Sequence, residues 1–116
     1  MSKKREVNIN LKVILDDNNT PEQITWASDD PPSNGNYADA KAFFLSVFDE
    51  QQLETLQIDL WTQKFEVGEI NRMVYYTIKG MADSYYRATK NNEISNDMAR
   101  FAQYLGEELG IIKKSS

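Results

Sequence analysis

The chain has 116 residues, 41% of them hydrophobic and 27% charged, with a net charge of −5; these are ordinary values for one folded domain and exclude the disordered and fibrous classes. It contains neither cysteine nor histidine, so a disulfide scaffold, a thiolate nucleophile, the usual zinc ligands and a Ser-His-Asp relay are excluded. Lys3, Lys4 and Arg5 at one end and Lys113 and Lys114 at the other gather five of the thirteen basic residues, which leaves an acidic body and a poor match for a nucleic-acid backbone.

In chain order, Val7, Ile9, Leu11, Val13 and Leu15 alternate with Asn8, Asn10 and Lys12, the pattern of a half-buried strand and not the continuous apolar core of an export signal. The turn-forming DDNNTPE at 16–22 leads into Gln23–Ala27, where Ile24 and Trp26 resume the alternation, predicting a hairpin with a longer loop. DDPPSNGN at 29–36 is too rich in breakers for regular structure. Ala40, Phe43, Phe44, Val47 and Phe48 then fall at helical spacing behind a possible N-cap, Asn36, predicting a short amphipathic helix that ends at Asp49. Leu56, Ile58 and Leu60 alternate with Gln57, Asp59 and Trp61, a third strand with Asp59 and Trp61 on the face opposite the aliphatic residues.

The last half reads as helical. Ile70, Val74, Thr77, Met81, Tyr85 and Ala88 repeat at three and four along a helix from about Gly68 to Thr89. Lys90, Asn91 and Asn92 interrupt it, and Ile94, Met98, Phe101, Leu105 and Leu109 form a second stripe ahead of Gly110, a suitable residue just past a helix end. The expected fold is α+β: a three-stranded antiparallel sheet in spatial order 2-1-3 with three helices on one face, a two-layer sandwich formed by a single domain over 1–112 and followed by a flexible tail at 113–116.

At the level of whole segments, ITWASDD (24–30), DAKAFFLSVFDE (39–50), LQIDLWT (56–62), MADSYYRAT (81–89) and DMARFAQYLGEELGI (97–111) resemble the GldC family of gliding-motility proteins over nearly the whole chain. The most specific piece is the block ending in IDLWT, followed some twenty residues later by MAD and RAT. The resemblance implies a cytoplasmic accessory protein of the gliding and associated secretion machinery, with no enzymatic activity, and it supplies no catalytic motif.

Site residues therefore come from patterning alone. The adjacent carboxylates Asp29–Asp30, Asp49–Glu50 and Glu107–Glu108 point apart on a strand or helix and read as solvated or capping charge rather than as an acid–base pair. No glycine-rich phosphate cradle is present, and DDNNTPE lacks the glycine and closing glutamate of a calcium loop. The expectation is no enzyme, cofactor or metal, no nucleic-acid partner and no membrane insertion. A protein interface is expected instead, at Trp61 and Asp59 on the open sheet face and at Tyr75, Lys79 and Tyr86 on the long helix opposite its main stripe. The bland alternative for those helix residues is packing against the final helix. The leading function is an accessory factor of gliding that works through a protein partner or self-association; its rivals are a chaperone-like adaptor for exported polypeptides and, third, a hydrolase using carboxylates. Because no segment offers a ligand set, chelators are expected to leave the melting temperature unchanged; a shift of several degrees on metal removal contradicts that expectation.

Overall fold

The structure, a computed structural model, describes residues 3–114; of the expected tail, Ser115 and Ser116 lie outside the described residues. The chain divides into two compact units, one running to Phe65 and the other starting at Glu66.

The first unit holds two small antiparallel sheets. Strands β1 (Ile9–Leu15) and β2 (Pro21–Ser28) form the hairpin expected from their alternation, with Val13 opposite Ile24 and Leu11 opposite Trp26. The loop between them is organised by Asp16, whose Oδ1 accepts from the amides of Asn18 at 2.8 Å and Thr20 at 3.0 Å, while Asn19 takes the left-handed conformation that asparagine tolerates. A three-residue strand, β3 (Ala38–Ala40), pairs with the other edge of β2 and places Ala40 beside Ile24. Ile24 is thus flanked on both sides and is fully buried, and Ala27 on the same strand is nearly so.

Charged and polar side chains fasten the segment before β1. Arg5 donates to both carboxylate oxygens of Asp30 at 2.9 Å, which holds the Asp30 carboxyl below the usual carboxylate range and raises Arg5 above its own. Asp29 Oδ2 accepts from the Asn8 amide at 2.8 Å. The pair read as solvated charge therefore anchors the start of the chain to the loop after β2. Lys12 Nζ stands 4.1 Å over the Tyr37 ring, a cation–π contact between β1 and the stretch leading into β3.

The second sheet pairs β4 (Ala42–Phe48) with β5 (Thr55–Trp61). The turn between them is set by Asp49: its Oδ2 accepts from the amides of Gln51 and Gln52, its amide donates to Glu54 O at 2.8 Å, and Leu53 carries the positive φ of 55°.

Two expectations are corrected here. The segment containing Ala40, Phe43, Phe44, Val47 and Phe48 is not a helix; six of the seven residues of AFFLSVF are apolar, so any period fits, and its aromatic and β-branched side chains suit a pleated ladder. The strand order is also different. The central strand is β2 and not β1, because Ala38–Ala40 occupies the edge of β2, and Leu56–Trp61 pairs with β4 instead of lying beside β1. The described residues form five strands in two sheets and two helices, which replaces the sandwich of three helices on one three-stranded sheet.

The second unit is a helical hairpin of α1 (Val67–Thr89) and α2 (Asn92–Glu108). Glu66 caps α1 reciprocally with Glu69, whose Oε1 accepts from the Glu66 amide at 3.0 Å. Lys90 ends α1 in the left-handed conformation, and Asn91 Oδ1 accepts from the Ile94 amide at 3.1 Å to start α2. The buried positions are Tyr75 and Ala82 on α1 and Ser95, Ala102 and Gly106 on α2, so the seam is built mainly from small residues that let the backbones approach. The apolar stripes flank this seam; Ile70 and Val74 are half-buried, and Met81, Ile94 and Phe101 are exposed.

Gly106 is the tightest point of that seam. A Cβ added there would lie 2.6 Å from Tyr75 Cε1 and 2.9 Å from Ile112 Cγ1, closer than packed carbon atoms tolerate. Gly106→Ala is expected to destabilise the chain by about 1–3 kcal/mol. Gly80→Ala, at a helix position with nothing within 4 Å, is expected to stabilise by about 0.5–1 kcal/mol. Denaturant unfolding of the two variants measures both, and equal effects would contradict the seam.

Candidate interaction surface

The hydrogen-bond pattern of the β4–β5 hairpin determines which groups it offers to solvent. Thr62 N–H donates to Lys41 O at one end of the ladder and Asp49 N–H to Glu54 O at the other, both at 2.8 Å. In an antiparallel pair the hydrogen-bonded rungs alternate. Counting inward from both ends, the bonded rungs are Phe43–Leu60, Leu45–Ile58 and Val47–Leu56. The side chains of these three rungs share one face.

All six side chains of these rungs are apolar, and four of them are open to solvent. Leu45, Val47, Leu56 and Ile58 keep between 36% and 56% of their surface exposed, whereas a core ladder of such residues would be almost fully covered. The rungs Leu45–Ile58 and Val47–Leu56 are left in water and the half-buried rung Phe43–Leu60 continues them, a contiguous patch and not the scattered exposed leucines of an ordinary surface. The opposite face carries Ala42, Phe44, Ser46 and Phe48 from β4 against Trp61, Asp59, Gln57 and Thr55 from β5.

Trp61 stands on that second face, 53% exposed and opposite Ala42, with Asp59 exposed two residues away. Both line a shallow cleft of about 260 Å³ shared with Asn19 and Thr20 of the β1–β2 loop and Pro21 at the start of β2. The alternation of β5 thus separates Trp61 from Leu56, Ile58 and Leu60, although the strand lies in the two-stranded sheet.

The helix residues are divided by the fold. Tyr75 is only 4% exposed, lies against Gly106 of α2 and meets the Tyr76 ring edge-on at a centroid distance of 4.9 Å. Lys79 is exposed with its Nζ 5.9 Å from the Tyr75 ring. Tyr86 is partly exposed under Lys90 and lines a polar cleft of about 530 Å³ with Asp83 and Arg87 of α1 and Asn92, Ser95 and Asn96 of α2. Tyr75 is therefore part of the seam, while Lys79 and Tyr86 lie on accessible surface.

Another pocket belongs to the first unit. It has a volume of about 640 Å³ and is lined by Ile24, Gln23 and Asp39 together with Lys41, Thr62 and Lys64. Thr62 is buried, and among the described residues its hydroxyl has no hydrogen-bond partner. No group of three or more acidic, histidine or cysteine side chains is arranged to hold a metal ion among the described residues.

Sequence reasoning misses the apolar face of β4 because the spacing of Ala40, Phe43, Phe44, Val47 and Phe48 also fits a helical period. The signal that distinguishes the two was present: a run of strand length, apolar at every position but Ser46, with three phenylalanines and a valine, followed at once by a turn-forming aspartate.

Comparison with protein families matches residues 21–111 to the GldC-like family, described as Gliding motility-associated protein GldC-like. Comparisons with curated proteins and with solved structures give no match. No helix among the described residues is long and apolar enough to cross a membrane.

With more than half its surface exposed, Trp61 leaves no core cavity when truncated. Trp61→Ala is expected to cost under about 1 kcal/mol of stability. Denaturant unfolding reads this directly, and a loss of several kcal/mol would place the indole in the core.

Proposed function

Because the chain belongs to the GldC-like family of gliding motility-associated proteins, we propose that it is a non-catalytic, cytoplasmic accessory protein of gliding and its associated secretion machinery, acting through protein contacts. The observation that carries this reading is the apolar face of the β4–β5 hairpin, whose rungs Leu45–Ile58 and Val47–Leu56 are left open to solvent beside the half-buried rung Phe43–Leu60. Interfaces concentrate affinity in clusters of apolar and aromatic side chains, and this cluster has Trp61 on the same hairpin. The absence of cysteine and histidine from the sequence leaves few side chains suited to acid–base or nucleophilic work near neutral pH, which supports a binding role.

A second reading is favoured by the same breadth. An uncharged apolar ladder without a deep pocket suits many extended apolar segments, as a chaperone-like adaptor for exported polypeptides would require. The two readings differ in stoichiometry: a machinery component binds one saturable partner, whereas an adaptor binds many unfolded segments weakly.

Ile58 sits in the middle rung, opposite Leu45 and half-exposed. Ile58→Asp is expected to leave the hairpin folded, since the side chain faces solvent, while placing an unpaired charge at the centre of the contact. Surface spreading of a gliding strain lacking the chain's own gene should be restored by the wild-type chain and not by the variant at equal cellular abundance. Full spreading with Ile58→Asp would remove this face from the function.

A further inference from the structure

We propose that the free edge of β4 pairs antiparallel with β4 of a second copy of this chain, producing a continuous four-stranded sheet in the order β5-β4-β4-β5 across a twofold axis. The proposal goes beyond the functional reading and does not depend on what the apolar face binds.

The backbone alternation supplies the first argument. Phe43, Leu45 and Val47 direct their backbone N–H and C=O groups to β5, so Ala42, Phe44, Ser46 and Phe48 direct theirs to the other edge. No strand among the described residues pairs with that edge. A two-stranded sheet alone is marginally stable, and three or more strands are the usual requirement.

The second argument is the absence of protection. Proteins shield open strand edges with charge, proline or bulges. Every other strand here carries a charged residue: Lys12 on β1, Glu22 on β2, Asp39 on β3 and Asp59 on β5. β4, AFFLSVF, has no charge, proline or glycine. Segments of this kind pair readily with another strand. Ser46 is exposed, and Phe48 keeps 64% of its surface open.

The third argument is register. Twofold antiparallel pairing centred on Leu45 sets Ala42 against Phe48 of the second copy and Phe44 against its Ser46, so each phenylalanine on that face meets a small residue. On the other face Phe43 meets Val47, and Leu45 meets its own equivalent. At both ends Lys41 falls opposite Asp49 of the second copy, opposite charges that favour this alignment. Because only residues of matching backbone direction can bond, the next registers shift the pairing sum by two. One then opposes Asp39 to Asp49 and Phe44 to itself, and the other opposes Phe43 to Asp49 and Phe44 to Phe48. The centred register alone avoids both faults, and its self-complementarity is what a closed twofold dimer requires.

The test uses the full chain. Sedimentation equilibrium from micromolar to millimolar concentration is expected to show a monomer–dimer equilibrium, and the amides of Ala42, Phe44, Ser46 and Phe48 should become protected from hydrogen exchange as the dimer forms. Ser46→Pro removes an edge N–H that makes no bond to β5, a position where a strand accommodates proline, and should raise the dissociation constant about tenfold or more while circular dichroism stays as in the wild type. If that variant does not fold, Ser46→Lys provides the same test by charging the edge. A wild-type chain that stays monomeric throughout, or a folded variant that dimerises like the wild type, overturns the proposal. So does protection of these amides only when an extended apolar peptide is added, which would give the edge to another occupant. Spreading assays are not part of this readout, so loss of the functional reading and loss of the dimer remain distinguishable.

Discussion

The obligation of every backbone amide in a strand to find a partner organises the first unit. The stretch Ala38–Phe48 serves two neighbours in succession, giving Ala38–Ala40 to β2 and Ala42–Phe48 to β5, with the change of partner at Lys41. The consequences are specific. Ile24 becomes buried because β3 closes the edge of β2 beside it. The hairpin of β4 and β5, held at its ends by the 2.8 Å bonds from Thr62 and Asp49, must direct alternate amides outward and its three apolar rungs to one face.

The helical unit obeys a different constraint. Its two helices meet along Tyr75, Ala82, Ser95, Ala102 and Gly106, positions that are mostly small, and the ring of Tyr75 fills the space that a side chain at Gly106 would need. Close approach is achieved by removing side-chain volume, as dense packing requires. The larger apolar residues then flank the seam instead of filling it, which is why Phe101 and Tyr104 stack with 6.2 Å between centroids on exposed surface.

For a GldC-like protein, these features direct attention to surfaces more than to pockets. Exposed apolar side chains in water are costly, and an uncharged strand edge invites pairing; both occur together on one hairpin of seven-residue strands. The anchoring of Arg5 to Asp30 and of Asn8 to Asp29 shows the opposite use of polar groups, in which exposed charges hold a segment in place at modest energetic gain.

Much was legible in the residues themselves. The β1–β2 hairpin, the strand of Leu56, Ile58 and Leu60, both helices and the break between them, which falls at Lys90 and Asn91, follow from alternation, from a 3.6-residue period and from capping chemistry, all of which act between neighbours in the chain. The family was legible as well, in segments such as IDLWT. The identity of AFFLSVF was not, because a run whose one polar residue is Ser46 fits either period, and only pairing with Thr55–Trp61 made it a strand. Nor was β3, whose three residues carry too little pattern to be recognised without the edge of β2. The seam of the helical hairpin followed neither predicted stripe: periodicity reports which side of a helix is apolar, whereas the line of closest contact depends on where two backbones can approach, and that is decided by the small side chains facing each other after the chain has folded.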